Sequence, residues 1–139
     1  MDVLADGISV DGDRWVLEID GRADQVTTAL RVTTVGGQRL WGLGSRGPGR
    51  PSSGHLQLTW GANDIGPSQL IIRASPTVSA IVVVLSDGTR EDLILHGDAS
   101  RLGGRVAALV YPRRLDVHRI DAFSADGSVL NDTSPAGSS

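Results

Sequence analysis

Short runs in which apolar and polar residues alternate follow one another along the chain, and a helical period is almost missing. Alternation with period two sends every second side chain to the same face of a strand. Residues 14–20 place Trp15, Leu17 and Ile19 on one face and Glu18 and Asp20 on the other. Residues 26–35 are rich in Thr and β-branched side chains and stop at Gly36-Gly37, across which residues 38–43 are expected to pair back. Residues 55–60 alternate strictly, with Leu56, Leu58 and Trp60 facing inward. Residues 69–74, 90–96, 105–111, 115–124 and 128–130 complete the series. Within residues 78–85, Ile81 to Leu85 is apolar at every position, which predicts a strand covered on both faces and central to the core.

The punctuation agrees with this reading. Five Asp-Gly pairs, at Asp6-Gly7, Asp11-Gly12, Asp20-Gly21, Asp87-Gly88 and Asp126-Gly127, offer the positive φ that tight hairpin turns demand. Residues 44–54 combine Gly, Pro, Ser and Arg, predicting an exposed mobile loop in which nothing is buried. Residues 61–68 and 97–104 read as further loops. The fold class that follows is all-β, an antiparallel β-sandwich of about nine or ten short strands, with a closed barrel as the alternative. One domain spans residues 1–132, and 133–139, small and polar, reads as a frayed tail. Val78-x-x-Ile81-x-x-Val84-x-x-Asp87-Gly88-Thr89 is echoed at Val117, Ile120, Phe123 and Asp126-Gly127-Ser128, as any two hairpin-forming strands would be.

Composition narrows the chemistry. At 139 residues the chain buries a core without a staple, and with no cysteine it forms no disulfide, zinc–thiolate site or thiol nucleophile. A net charge of −3 disfavours general nucleic-acid binding. No apolar stretch reaches the roughly 20 residues that span a bilayer as a helix. All 13 basic residues are Arg, a bias expected of a GC-rich genome such as an actinobacterium's. The N-terminus lacks the basic and apolar regions of a signal peptide, so a native Met1 implies a cytoplasmic protein and an excised domain an extracytoplasmic one.

The stretch from Pro76-Thr77-Val78-Ser79 through Ile81–Thr89, then Tyr111-Pro112 and Ile120–Leu130, resembles immunoglobulin-like or carboxypeptidase-regulatory-like sandwich modules of actinobacterial proteins. The resemblance covers a little over the C-terminal third and rests on strand and turn residues. It implies a β-sandwich with a binding or spacer role and supplies no functional residue. The chain departs from it in lacking paired cysteines and in its longer N-terminal half.

Candidate reactive groups are few. His96-Gly97-Asp98 and Asp116-Val117-His118 are His/Asp pairs at a spacing of two; if adjacent, His96, Asp98, Asp116 and His118 would suit zinc, iron or manganese. No Gly-x-Ser-x-Gly elbow exists, and Ser53-Gly54-His55 reads as a loop entering a strand. Glu18 and Glu91 read as solvated strand positions. Gly49-Arg50-Pro51 resembles a minor-groove hook but has only Arg46 as basic support, and the loop lacks the Lys-Ser/Thr ending of a phosphate cradle. Asp11-Gly12-Asp13 and Asn63-Asp64 are explained by turn chemistry without calcium. Trp15 and Trp60 belong to the core by alternation, whereas Trp41, between Gly42 and Leu40, is a candidate for exposure.

The resulting expectation is a non-catalytic recognition module whose partner is another protein, with no cofactor. Its contact surface would centre on Trp41, Arg46 and Arg50, and secondarily on Arg113 and Arg114, whose planar guanidinium groups engage carboxylate or phosphate. The alternatives are a metal-dependent enzyme using the His/Asp cluster and a structural subunit of a larger assembly.

Overall fold

The alternating runs do become strands. The structure, a computed structural model, describes residues 2–51, 54–61 and 66–130, apart from the side chains at positions 41 and 42. Among these residues the chain forms β1 (Asp2–Ile8), β2 (Arg14–Arg22), β3 (Gln25–Thr33), β4 (Arg39–Gly47), β5 (Leu56–Gly61), β6 (Ser68–Ala74), β7 (Ala80–Leu85), β8 (Arg90–Leu93), the short helix α1 (Ala99–Leu102), β9 (Arg105–Tyr111), β10 (Val117–Phe123) and β11 (Val129–Leu130). The fold is all-β and sandwich-like, with antiparallel sheets and no closed barrel. Strand β1 and helix α1 fall where no element was expected.

The strands make three sheets, ordered β1-β2-β3-β4, β5-β6-β9 and β11-β10-β7-β8. Two apolar clusters show how they stack. Leu17, Ile19, Leu30 and Val32 of the first sheet meet Ile71, Val106, Ala108 and Val110 of the second. Leu70, Ile72 and Leu109 on the opposite face of that second sheet meet Ile81, Val83 and Ile120 of the third. The second sheet is therefore the middle layer, and successive residues of β6 alternate between two cores. Each fully buried Leu or Ile side chain in them contributes about 1.5–3 kcal/mol of transfer free energy.

This corrects the expectation that residues 78–85 supply the central strand. Only one face of β7 joins a core, through Ile81, Val83 and Leu85. Val82 and Val84 pair with Asp121 and Arg119 across the ladder and turn away from the middle layer. The strand buried along its whole length is β6, although it carries Gln69 and Arg73. Trp60 is a second correction: it is 36% exposed, on β5 at the edge of the middle sheet, while Leu56 and Leu58 do pack on the core.

Four hairpin turns share one design. In Ser9–Asp13, Thr34–Gln38, Leu85–Thr89 and Ser124–Ser128 the first residue's N–H donates to the last residue's carbonyl, and the Gly N–H donates back to the first carbonyl, all at 2.8–2.9 Å. Gly12, Gly37, Gly88 and Gly127 hold φ between +86° and +90°, the left-handed step that closes a three-residue loop with a bulge. The two halves of the sequence echo end in such turns, but so do two hairpins outside it, so the likeness follows from turn chemistry. Asp6-Gly7 and Asp20-Gly21 instead lie inside β1 and β2.

Residues 44–51 are also not part of the free loop that the composition of 44–54 predicts. Strand β4 continues to Gly47, and Gly49 and Pro51 are buried. The Gly49 N–H donates to Ala23 O, and a Cβ at position 49 would lie 1.7 Å from Leu102 O. Arg73, 1% exposed, reaches out of the middle sheet to fix this segment. Its Nη1 donates to Gly47 O at 2.9 Å and Pro48 O at 2.7 Å, and its Nη2 to Val26 O at 2.7 Å and Ser45 O at 3.1 Å. Burial pushes the Arg73 pKa down from its ordinary value, and four carbonyl dipoles offset the loss of water.

Candidate functional site

The middle sheet ends in β9, and β9 is incompletely paired. His96, just beyond β8, donates its N–H to Val106 O at 2.8 Å and accepts from Val106 N at 2.9 Å. In an antiparallel ladder a residue that exchanges both bonds with one neighbour presents no bond to the strand on its other side. Val106 thus faces away from β6, and so, by alternation, do the N–H and C=O of Ala108 and Val110. Ala107, Leu109 and Tyr111 face Ile72, Leu70 and Ser68 of β6. Beyond His96, no strand among the described residues pairs with this outer edge of β9.

The edge is recessed. Strand β1 closes the first sheet and β8 closes the third on the same side, so their rims stand over β9 and enclose a groove of about 250 Å³. Ile8 and Val10 on one rim and Ile94 on the other are 65%, 78% and 71% exposed, while Ala108, Leu109 and Val110 on the floor are nearly buried. Trp15 is half-buried on the wall, lying over Gly7, where a Cβ would come within 2.6 Å of its indole. The groove therefore offers an unpaired backbone ladder between apolar walls.

Its ionisable lining is acidic: Asp6, Glu91 and Asp92, with His96 as the one basic residue type. Glu91 pairs with Val83 across β7–β8, and cross-strand partners share a face, so Glu91 projects on the side of the third sheet that meets the middle layer. It is half-buried there, not on the solvated face its sequence context predicts. Among the described residues these three carboxylates make no ion pair or side-chain hydrogen bond. Other acids do. Glu18 pairs with Arg31, Asp121 with Arg119 at 2.9 Å and Asp11 with Arg114 at 3.6 Å. Burial holds the His96 imidazole below its ordinary pKa, so it is neutral near pH 7 and does not offset these charges.

Comparison with protein-family models, curated proteins and solved structures finds no match.

The residues singled out by sequence are spread over the molecule. The Trp41 side chain lies outside the described residues, as do Ser53, Asn63-Asp64 and the tail at 133–139. Arg46 is exposed on β4 opposite Thr27, and Arg50 is exposed beside the buried Gly49. Arg113 and Arg114 line a separate open cleft of about 450 Å³ with Asp11, Asp13 and Pro67. Asp11 belongs to the β1–β2 turn, at the end of the first sheet away from Arg46, so the two arginine pairs do not form one surface.

The His/Asp pairs do not converge either. Asp98 caps α1, accepting from Ser100 N at 3.0 Å and Ser100 Oγ at 2.6 Å, bonds that lower its pKa. Asp116 and His118 flank Val117, which pairs with Leu85, whereas His96 follows Leu93, which pairs with Ile81 at the other end of β7. No set of three or more potential metal ligands gathers among the described residues. His55 is more engaged than its loop-entry position suggests: Nδ1 is 3.4 Å from Ser75 Oγ and 3.1 Å from Thr77 Oγ1. Ser75 N also donates to His55 O, so the cluster fastens the β6–β7 connection to the start of β5. No helix is long and apolar enough to cross a membrane among the described residues.

Sequence reasoning missed the groove because its floor is backbone. The available signal was the run Ile8-Ser9-Val10, which puts two large apolar residues at a hairpin tip where polar residues are usual.

Proposed function

We propose that the protein is a non-catalytic recognition module that takes up an extended polypeptide segment by strand addition to β9. The observation that carries the reading is the outward backbone of Ala108 and Val110, facing a groove walled by exposed Ile8, Val10 and Ile94. Unpaired strand edges are a hazard that proteins cover or charge, and one kept open between apolar walls suits a partner's main chain. Hydrogen bonds to the edge give affinity, and alternate side chains reach β1 on one side and β8 on the other. The resemblance of residues 76–130 to immunoglobulin-like modules supports a binding role in the same sense.

The test is selection of a randomised peptide library, displayed on phage, against the immobilised protein. Selected peptides should shift the NMR resonances of Ala108, Val110, Ile8 and Ile94 and lose binding to Ala108→Pro. That proline removes an N–H from the open edge and leaves the bonds to β6 in place. Ile94→Lys, at an exposed side chain, provides a second variant that does not perturb the core. Shifts that map elsewhere, or peptides that bind Ile94→Lys and Ala108→Pro as well as the parent, would overturn the reading.

A further inference from the structure

The facing of residues around β9 determines which side chains an added strand turns to each wall. Resting on the strand-addition reading above, we infer that the occupant is a segment of another polypeptide in which one Lys or Arg stands between two apolar residues. His96 pairs antiparallel with Val106, and an occupant that continues this ladder sets successive residues opposite Val110, Leu109 and Ala108. Cross-strand partners share a face. Ala108 and Val110 belong to the core against the first sheet, with Trp15 packed on it, so the first and third of these occupant residues turn toward Trp15. Leu109 belongs to the core against the third sheet, so the middle residue turns toward β8.

Each wall then selects a different side chain. Toward the first sheet lie the Trp15 indole and the backbone of Gly7, an apolar surface that takes Val, Ile or Leu. Toward the third sheet lies Glu91, the partner of Val83 and, like it, on the face that meets the middle layer. Its side chain is half-buried and makes no ion pair or side-chain hydrogen bond among the described residues. Packed sheets stand about 10 Å apart, a gap that Glu91 spans together with a long Lys or Arg side chain but not with Ser, Asn or Asp. Asp6 and Asp92 take no part: they pair with Val16 and Val82, on faces turned away from the middle layer. This chain offers no such segment at a sheet edge. Residues 131–139 contain no basic residue, and in β1, β4, β5, β8, β9 and β11, the outermost strands of the three sheets, no Arg stands between two apolar side chains. An inward-pointing charge can also guard an edge strand against wrong pairing, and the two roles give different results in the test.

Fluorescence anisotropy with two capped, labelled heptapeptides, Thr-Ser-Val-Lys-Val-Ser-Thr and the same peptide with Gln for Lys, decides the matter. The Lys peptide should bind about tenfold more tightly, as a charge-assisted hydrogen bond to a half-buried carboxylate provides. Glu91→Gln should bring the ratio close to one, whereas D6N/D92N should leave it in place. Glu91 has no partner among the described residues, and Asp6 and Asp92 are exposed, so both variants should fold. Equal binding of the two peptides to the parent, with Ala108 and Val110 still shifted in NMR spectra, would overturn the basic position and leave strand addition standing. A preference that survives Glu91→Gln, or disappears in D6N/D92N, would overturn it as well. Tighter binding of both peptides to Glu91→Gln would make Glu91 a guard of the edge and overturn its part in recognition. Binding of neither peptide, or of the Lys peptide equally to Ala108→Pro, would overturn strand addition itself and this inference with it.

Discussion

His96 and Val106 exchange both of their backbone hydrogen bonds, at 2.8 and 2.9 Å, and so fix which side of β9 each later residue presents. The bridge crosses from the third sheet to the middle one and stops after a single pair. Two residues further along the same edge, at Ala108, the groove begins. The imidazole of His96 is half-buried at that point, with burial lowering its pKa.

A pH dependence of stability follows from that burial. The folded protein binds a proton at His96 less readily than the unfolded chain, so unfolding takes up a proton between the folded pKa and the ordinary value of 6.5. Stability is full above 6.5 and declines as pH falls through this window. Urea unfolding across the range should show the decline, and His96→Gln should remove the part due to this residue.

Arg73 is the second point of leverage. It stitches the middle sheet to carbonyls at positions 26, 45, 47 and 48. Arg73→Met should cost roughly 3 kcal/mol or more, since buried carbonyls lose a charged donor. Arg73→Lys should recover only part of this, because an ammonium does not reproduce the planar fork. Urea midpoints of the two variants measure both.

Gly49 and Gly37 should respond to Ala for different reasons. At Gly49 the new Cβ would meet the Leu102 backbone carbonyl at 1.7 Å, and the overpacking should cost about 1–3 kcal/mol or more. At Gly37 nothing lies within 4 Å, but φ is +87°, and the left-handed strain should cost about 1–2 kcal/mol. Thermal melts of both variants test this, and Gly49→Ala should also weaken the docking of α1.

Asp126 anchors the last hairpin turn, accepting from Ser128 N at 2.9 Å and from Ser124 Oγ. These bonds, the Ser124 hydroxyl foremost, hold its pKa down to about 2 from an ordinary 3.8. Its contribution is present above 3.8 and is lost as pH falls through about 2. Asp126→Asn should lower the melting temperature at pH 7, and the gap from the parent should close on acidification through that window.

Much of the local structure was legible in the chain. Alternation found the face bearing Leu17 and Ile19, and Gly36-Gly37, Asp87-Gly88 and Asp126-Gly127 marked true hairpins, because both signals depend on backbone geometry alone. Layering was not legible. The continuous apolar run in β7 resembles a doubly covered strand, yet β6 holds that place with Gln69 and Arg73 in it, since a buried polar side chain is decided by carbonyls distant in sequence. Gly49 read as loop for the same reason: its burial depends on Leu102, and Glu91 read as solvated because its facing depends on pairing with Val83. The groove left least trace, since what defines it is the direction of main-chain groups at Ala108 and Val110.

Amide hydrogen exchange along β9, followed by NMR, tests that direction most directly. In the free protein Ala108 and Val110 should exchange at least about tenfold faster than Ala107, Leu109 and Tyr111, and a bound peptide selected from the library should slow both to the rate of their neighbours. Uniform protection of all five amides without peptide, or no added protection with it, would contradict recognition at this edge.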